Sequence, residues 1–505
     1  MRHTSFGGGS LNTLMNLPYP VENVVAALPE GVLAYLVGGA VRDHLLNRTA
    51  HDFDFLLAGD VMSISRRVAD TLGGFFFALD KERDYARVIL IAENRQRYVL
   101  DFAPIKDGSL EADLRSRDFT VNAIAINLRG TRSFIDPLNG AAALLAKQLR
   151  TCSPTSIMDD PVRVLRAVRL AVNFQFHISR EVTALLRSAA SSLQVVSPER
   201  IRDELFRILG NPHPASAVRL LETLGVVPYV LPDLTSLQGV EQPPPHVADV
   251  WEHTLDALTK LEMVLSVIER DYDPDRASNL MLGLAVLQLG RFRQQVSAHL
   301  ETPFTPDRSL RPLLFLGALY HDVAKPATRQ LDNHGRVRFY QHDQLGAELA
   351  RKRGRALRLS GEEIIRLETM VRGHMRPLLL AQAADQPSAR AIYRYFRDLG
   401  ATGIDICLLS LADTLATYGS ALPQKTWGRQ LDVVRCLFEA YWEKPLESVS
   451  PASLLDGNDL MQKFSLPPGR RIGQLLASLR EAQAVGEVTS VEEAYSFVQQ
   501  LLDQG

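Results

Sequence analysis

Leu36-Val37-Gly38-Gly39-Ala40-Val41-Arg42-Asp43, followed by His51-Asp52-Phe53-Asp54-Phe55-Leu56, is the stretch on which the fold turns. An apolar run meets two glycines and continues into helix-forming residues, the pattern of a strand, a tight turn and a helix start. In the second half polar and apolar residues alternate. Asp52 and Asp54 therefore share one face of a strand, while Phe53, Phe55 and Leu57 anchor the other. Two carboxylates about 7 Å apart on one strand face can share magnesium ions that also bind a triphosphate. Such ions activate an attacking hydroxyl and neutralise a leaving pyrophosphate. Gly38 and Gly39 lack a Cβ, so the backbone there can approach phosphates closely. A bare Asp-x-Asp carries little weight. Asp271-Tyr272-Asp273-Pro274-Asp275 has no glycine turn before it and sits in a proline-broken loop.

Outward from this stretch, the first ~150 residues are mixed α/β. Strand-like runs fall at Leu33–Val37, Phe53–Leu57, Phe75–Leu79, Val88–Ala92, Tyr98–Ala103 and Ile124–Leu128. After Ser156 apolar residues recur at helical spacing almost to the end, with Arg336–Tyr340 as an exception. The expected fold class is an α/β head, a mixed sheet with flanking helices, followed by an all-α neck, body and tail. A catalytic head over 1–150, neck helices over 151–240, a helical body over 241–445 and a tail over 446–505 are the expected domains, since 505 residues exceed what one core supports. Met1–Leu14 has no apolar core, which reads as a loose lead-in rather than a signal peptide. No apolar run approaches the roughly 18 residues that span a bilayer, so no membrane partner is expected. Cys152, Cys407 and Cys436 form neither a disulfide framework nor a zinc pattern, which fits a reducing cytoplasm. Composition is ordinary and the net charge is −2, so any surface for nucleic acid must come from local clusters of Arg and Lys.

Further strings carry a family resemblance. Gly38-Gly39-x-Val41-Arg42-Asp43 with Asp52-x-Asp54 resembles the opening motif of class II tRNA nucleotidyltransferases and bacterial poly(A) polymerases. Asp113-Leu114-Arg115-Ser116-Arg117-Asp118-Phe119-Thr120-Val121-Asn122-Ala123 resembles the second motif and Asp136-Pro137-x-x-Gly140 the third. Asp159-Asp160-Pro161-Val162-Arg163-Val164-Leu165-Arg166-Ala167-Val168-Arg169 resembles the fourth, and Glu199-Arg200-Ile201-x-x-Glu204-Leu205 the fifth. The resemblance implies template-independent nucleotide addition to tRNA from CTP and ATP, with magnesium on Asp52 and Asp54. It also implies that Asp160 and Arg163 read the base, and that Arg117, Asp118 and Asn122 orient ribose and triphosphate. The spacing predicts a helix carrying Asp160 and Arg163 on one face. A carboxylate beside a guanidinium offers an acceptor and donors that match the base-pairing edge of cytosine or adenine. Gly38, Gly39, Arg42, Arg166 and Arg169 complete the expected nucleotide set. Asp101 is a candidate third carboxylate, on the strand face opposite Tyr98, Leu100 and Phe102. The family usually has two arginines before the second motif's Asp; here the first is Ser116.

Only Ala103–Ala112 separate the strand ending near Phe102 from the second motif. Family members that add a whole CCA triplet typically carry a longer flexible loop here, so the sequence points to addition of CC rather than of the final A. The alternatives are a full CCA-adding enzyme and a poly(A) polymerase.

A second constellation lies in the helical body. Trp251-Glu252-His253-Thr254, His321-Asp322-Val323-Ala324-Lys325, Gln341-His342-Asp343, Gly373-His374 and Ala412-Asp413 form an ordered series resembling the HD-type metal phosphohydrolase pattern. His253, His321, Asp322, His342, His374 and Asp413 are its expected ligands. Such donors suit Mn, Ni, Fe or Co, and a metal there could activate water against a phosphoester. A reading from another class is an HD phosphohydrolase whose head only binds RNA. The densest basic run includes Arg351, Lys352 and Arg353. With Arg470 and Arg471 near the C-terminus, it is the candidate surface for the RNA backbone.

Overall fold

The computed structural model describes residues 17–503 apart from 131, 273–278, 384–385, 446–448 and 450–451. The lead-in Met1–Leu14 and the carboxylates of Asp273 and Asp275 thus lie outside the described residues. The chain folds as two compact units, Met1–Val195 and Val196–Gly505.

The first unit is built on a seven-stranded sheet. Its strands are β1 (Ala34–Val37), β2 (Asp52–Leu57), β3 (Phe75–Asp80), β4 (Tyr85–Ile91), β5 (Arg97–Pro104), β6 (Ala125–Asn127) and β7 (Phe134–Ile135), in the order β3-β4-β5-β2-β1-β6-β7. Among the described residues of this sheet, only β2 and β5 pair in parallel. Alternation explains the layering. Leu36, Phe53, Phe55, Leu57, Val88, Leu90, Leu100 and Phe102 turn to one face and pack against the apolar sides of helices Val21–Ala27 and Val61–Leu72. The opposite face is left to Asp52, Asp54 and Asp101, with a smaller core of Val37, Leu56, Leu114 and Ala125 at its end. The six strands expected from the alternation are present within a few residues; β7, two residues long, has no pattern of its own to announce it. Helix Arg163–Phe174 completes this unit's functional part.

The second unit is almost wholly helical, as its periodicity implies. Helices Val250–Ile268, Leu310–Tyr320, His342–Ala356, Gly361–Gly373 and Thr402–Tyr418 make its centre. The residues expected as a strand near Arg336 pair as a small hairpin, Arg329–Leu331 with Val337–Phe339. Leu455, Leu460, Leu475, Leu479, Ala494 and Val498 form a separate core within the C-terminal helices. No single helix is long and apolar enough to cross a membrane among the described residues.

Candidate functional sites

In the first unit the glycine turn does what its composition allows. Gly38 adopts φ +78°, a region that only glycine enters freely. A Cβ there would lie 2.6 Å from Asp54 Oδ2 and 3.2 Å from an Arg117 nitrogen. Turn, carboxylate and guanidinium are thus in van der Waals contact only because that atom is missing.

Register brings the carboxylates together. Asp54 stands directly opposite Asp101 on the parallel neighbour β5, and Asp52 is two residues away on the same face. Asp54, Asp101, Tyr85 and Arg117 line a pocket of about 250 Å³. Asp54 is exposed on the wall of this concavity, and the protein packed around it raises its carboxyl above the usual range. Arg117 opposes that rise, whereas Asp101 and Asp52 add to it. An acidic group so placed favours a cation at its open side. Asp52, Asp54 and Asp101 are the residues that could hold a metal.

Neighbouring cations organise this triad. Arg87 grips Asp101 with two bonds of 2.7 and 2.9 Å across the β4–β5 pair. Arg117 is aimed by Asp113, which accepts its Nε–H at 3.0 Å. Arg87 is a functional candidate that the sequence does not single out; the alternation of β4 puts it on the open face, but only the register shows its partner.

Beneath this surface lies a buried lattice. Asp118 accepts from the Phe119 amide at 2.7 Å, Asn122 Nδ2 at 3.1 Å and Arg166 Nε at 2.8 Å. Burial by itself would raise the Asp118 carboxyl, yet Arg166 and these hydrogen bonds outweigh it and hold the group below its usual range. The structure gives Arg42 a different place from the expected nucleotide contact. It is buried, donates to Asn122 Oδ1 at 2.7 Å and to Asp43, and stacks 4.3 Å from the centroid of Phe174. Asp118, Asn122 and Arg42 therefore brace the site from below. Gly39, Arg117, Asp160, Arg163 and Arg169 lie nearer the surface.

Asp160 and Arg163 meet, but not on a helix. Asp160 is extended (φ −150°, ψ 94°) and the helix starts at Arg163. Pro161 explains the difference, since a residue before proline is pushed out of helical space. A turn closed by the Arg163 N–H on the Asp160 carbonyl brings the carboxylate within 4.0 Å of the guanidinium. Arg163 also donates to the carbonyls of Ser116 and Ser156 at 3.0 and 2.9 Å. It thereby ties the second and fourth motifs together.

The third motif is a clamp: Asp136 accepts from the Gly140 and Ala141 amides at 2.7 and 2.9 Å, capping a short helix. A Cβ on Gly140 would collide with the Thr120 carbonyl at 2.0 Å.

In the second unit His253, His321, Asp322, His342, His374 and Asp413 converge from separate helices. Asp322 Oδ2 lies 3.1 Å from His321 Nε2 and 3.5 Å from His253 Nε2, while its Oδ1 lies 3.5 Å from His342 Nε2 and 3.8 Å from His374 Nε2. One carboxylate thus faces two ligand sets, His253–His321–Asp322 and Asp322–His342–His374. Asp413 Oδ1 joins the first set, 3.0 Å from His253 Nε2. His321, His342 and His374 direct Nδ1 to the carbonyls of Ala318, Phe339 and Val371 at 2.7–2.8 Å. That bond makes Nδ1 the donor and leaves each Nε2 lone pair pointing into the centre, as a metal ligand requires.

The electrostatics ask for a cation. Burial would depress His321, but Asp322 and Asp413 outweigh it and lift the imidazole to about 9. His374, buried beside His321 and His342, is pushed down to about 4. Lys325 Nζ sits 2.6 Å from Asp322 and 2.5 Å from Gln242. His246, which the sequence does not flag, packs edge-on to His253 with ring centroids 5.2 Å apart.

The basic run divides. Arg353 is largely buried and donates to Asp233 at 2.7 Å, so it does not share a surface with exposed Lys352. Arg351 lies 3.9 Å from Glu368. Arg470 and Arg471 open helix Arg470–Ala484 in exposed positions.

Known families match segments of both units. Residues 34–150 match the poly(A) polymerase head domain, 175–238 a probable RNA- and SrmB-binding site of polymerase A, and 299–417 the HD domain. The chain is 34% identical to an A-adding tRNA nucleotidyltransferase of Deinococcus radiodurans, over 93% of this chain and 96% of that one. It is 32% identical to a CC-adding tRNA nucleotidyltransferase of Geobacter sulfurreducens over 95% of each. Among solved structures, the Thermotoga maritima CCA-adding enzyme complexed with tRNA shares the fold, with a TM-score of 0.53 at 19% identity over 95% of this chain and 98% of that one.

Proposed function

This chain belongs to the tRNA nucleotidyltransferase family, and from that footing we propose that it extends the 3′ end of tRNA without a template, adding C residues from CTP. The observation that carries the reading is the contact of Gly38, Asp54 and Arg117, with Asp101 in register beside them. Asp52 and Asp54 would hold magnesium. When bound, the ion activates the attacking hydroxyl and neutralises the leaving pyrophosphate. Arg117, aimed by Asp113, suits the triphosphate. Asp160 and Arg163 suit the base edge, the Asp supplying an acceptor and the Arg donors. Arg42, Asp118 and Asn122 act through these groups by fixing the backbone that presents them. The free cysteines Cys152, Cys407 and Cys436 support a cytoplasmic setting.

Addition of CC rather than A is supported by the connection after β5. It consists of one short turn, Lys106–Gly108, before helix Leu110–Ser116 begins. Relatives of both specificities exist, so product analysis decides. Given tRNA lacking CCA together with CTP and ATP, the protein should stop after two C residues. It should also leave a tRNA that already ends in CC unextended. Addition of A to that second substrate would overturn the CC assignment, and long A tails would favour a poly(A) polymerase.

Gly38→Ala tests the turn. The new Cβ forces Asp54 or Arg117 aside, and a displacement of about 1 Å at such a centre can lower turnover ~100-fold. The strained φ adds a stability loss of about 1–3 kcal/mol. The expected result is a large fall in kcat with a lowered Tm; a variant with wild-type kcat would show that the contact is dispensable.

The helical body supports a second, separate chemistry, metal-dependent hydrolysis of phosphoesters at RNA ends. Its two histidine sets around Asp322 would each hold a divalent transition metal, with Lys325 suited to a phosphate oxygen.

A further inference from the structure

The β3–β4 hairpin, at the edge of the head sheet, carries apolar side chains where an open sheet face normally carries polar ones. Phe75, Phe77 and Leu79 are 58%, 47% and 52% exposed, and Tyr85 is 40% exposed. On the other face the same hairpin buries Ala86, Val88 and Leu90. Register shows where this ledge lies. Phe77 stands opposite Arg87, Arg87 opposite Asp101, and Asp101 opposite Asp54. Directly opposed residues on neighbouring strands project to the same side. Phe77 is therefore the far end of the row that terminates on the metal carboxylates, three strand spacings or about 14 Å away. Leu79 and Tyr85 close the gap, because both line the pocket that contains Asp54 and Asp101.

An exposed apolar patch continuous with a reaction centre marks a binding surface. Resting on the nucleotidyl-transfer reading above, we propose that Phe75, Phe77 and Tyr85 form a stacking surface for the last unpaired bases of the RNA being extended. Transfer is in line, so the attacking hydroxyl must approach from the side of the phosphorus opposite the leaving pyrophosphate. Gly38 follows β1, the neighbour of β2 opposite β5, and with Arg117 beside it suits the triphosphate. The β5–β4–β3 side is the one left to the RNA. Every base has a π-face that an aromatic ring can accept whatever its identity, which suits an enzyme that must serve many RNA sequences. Arg87, paired with Asp101, links the two ends of this row.

The test uses the full chain and a tRNA lacking CCA whose 3′-terminal base is 2-aminopurine. The Phe75→Ala/Phe77→Ala double variant is expected to raise KM for the RNA about tenfold, with KM for CTP and the circular dichroism spectrum unchanged. It should also lose the 2-aminopurine quenching that the wild-type protein gives without CTP. Phe77→Tyr, which keeps the ring, should behave as wild type; Phe77→Leu, apolar but not aromatic, should share the defect. Unchanged RNA KM and quenching in the double variant overturn the proposal. So does a double variant that keeps both but loses self-association in light scattering, which would make the ledge a contact between copies. A wild-type protein that incorporates no CTP sinks the transfer reading instead, and the quenching comparison still decides the ledge.

Discussion

Asp54→Asn should reduce CTP incorporation by about 10³-fold or more, because the metal contribution it removes amounts to several kcal/mol of barrier and each 1.4 kcal/mol is tenfold. The same substitution should make the metal-free protein more stable. In the folded chain the Asp54 carboxyl is raised, by the protein packed around it and by Asp101 and Asp52, despite Arg117. A carboxyl raised above its unfolded value penalises the fold once ionised. That penalty is absent below the unfolded value of about 3.9 and complete above the folded one. In EDTA at pH 8 the variant's Tm should therefore exceed that of wild type, and the gap should close as the pH falls toward 4. Added magnesium should raise the wild-type Tm and leave the variant's unmoved. Loss of activity together with a lowered Tm would point to a structural defect and count against a metal role.

That opposition between stability and function separates what is visible in the sequence from what is not. The carboxylates of β2 are legible because a strand's alternation is local: Phe53, Phe55 and Leu57 bury one face, so Asp52 and Asp54 must take the other. Their electrostatic state is not, since it depends on Asp101 and Arg117 arriving from elsewhere in the chain. Pairing register has no local signature. Hence Arg87 and Phe77, which share a row with Asp54, pass unnoticed in sequence. Asp160 marks a legible signal read wrongly: three-residue spacing suggests one helix face, but Pro161 disfavours helix at the residue before it, and Asp160 is extended. Arg42 shows the opposite limit, because its partners Asn122 and Phe174 lie far away in sequence and only the fold shows that its guanidinium is buried.

The largest effect expected in the helical body follows from one carboxylate serving two sets of histidines. With Asp322 Oδ2 turned to His321 and His253, and Oδ1 to His342 and His374, Asp322→Asn should abolish metal uptake by both. The affinity loss should be at least about 100-fold, the upper end for losing even an outer partner of a metal site. His342→Ala should remove uptake by its own set alone. Titration calorimetry with Mn²⁺ in an Asp54→Asn background isolates the body, and the expected stoichiometries are two for the parent, one with His342→Ala and none with Asp322→Asn. The control on folding has a defined sign. Burial would raise the Asp322 carboxyl, but His321 and Lys325 hold it well below its usual range. It therefore contributes stability that is present above the unfolded value of about 3.9 and lost as the pH falls toward the folded one. Asp322→Asn should accordingly lower the metal-free Tm at pH 7, so the titrations belong well below that temperature. A parent stoichiometry of one, with His342→Ala at one as well, would mean that His342 and His374 only support the first set. CTP incorporation by Asp322→Asn in the otherwise wild-type chain should stay within about twofold, since independent sites in separate compact units act additively. A collapse of that activity would show that the two chemistries depend on each other.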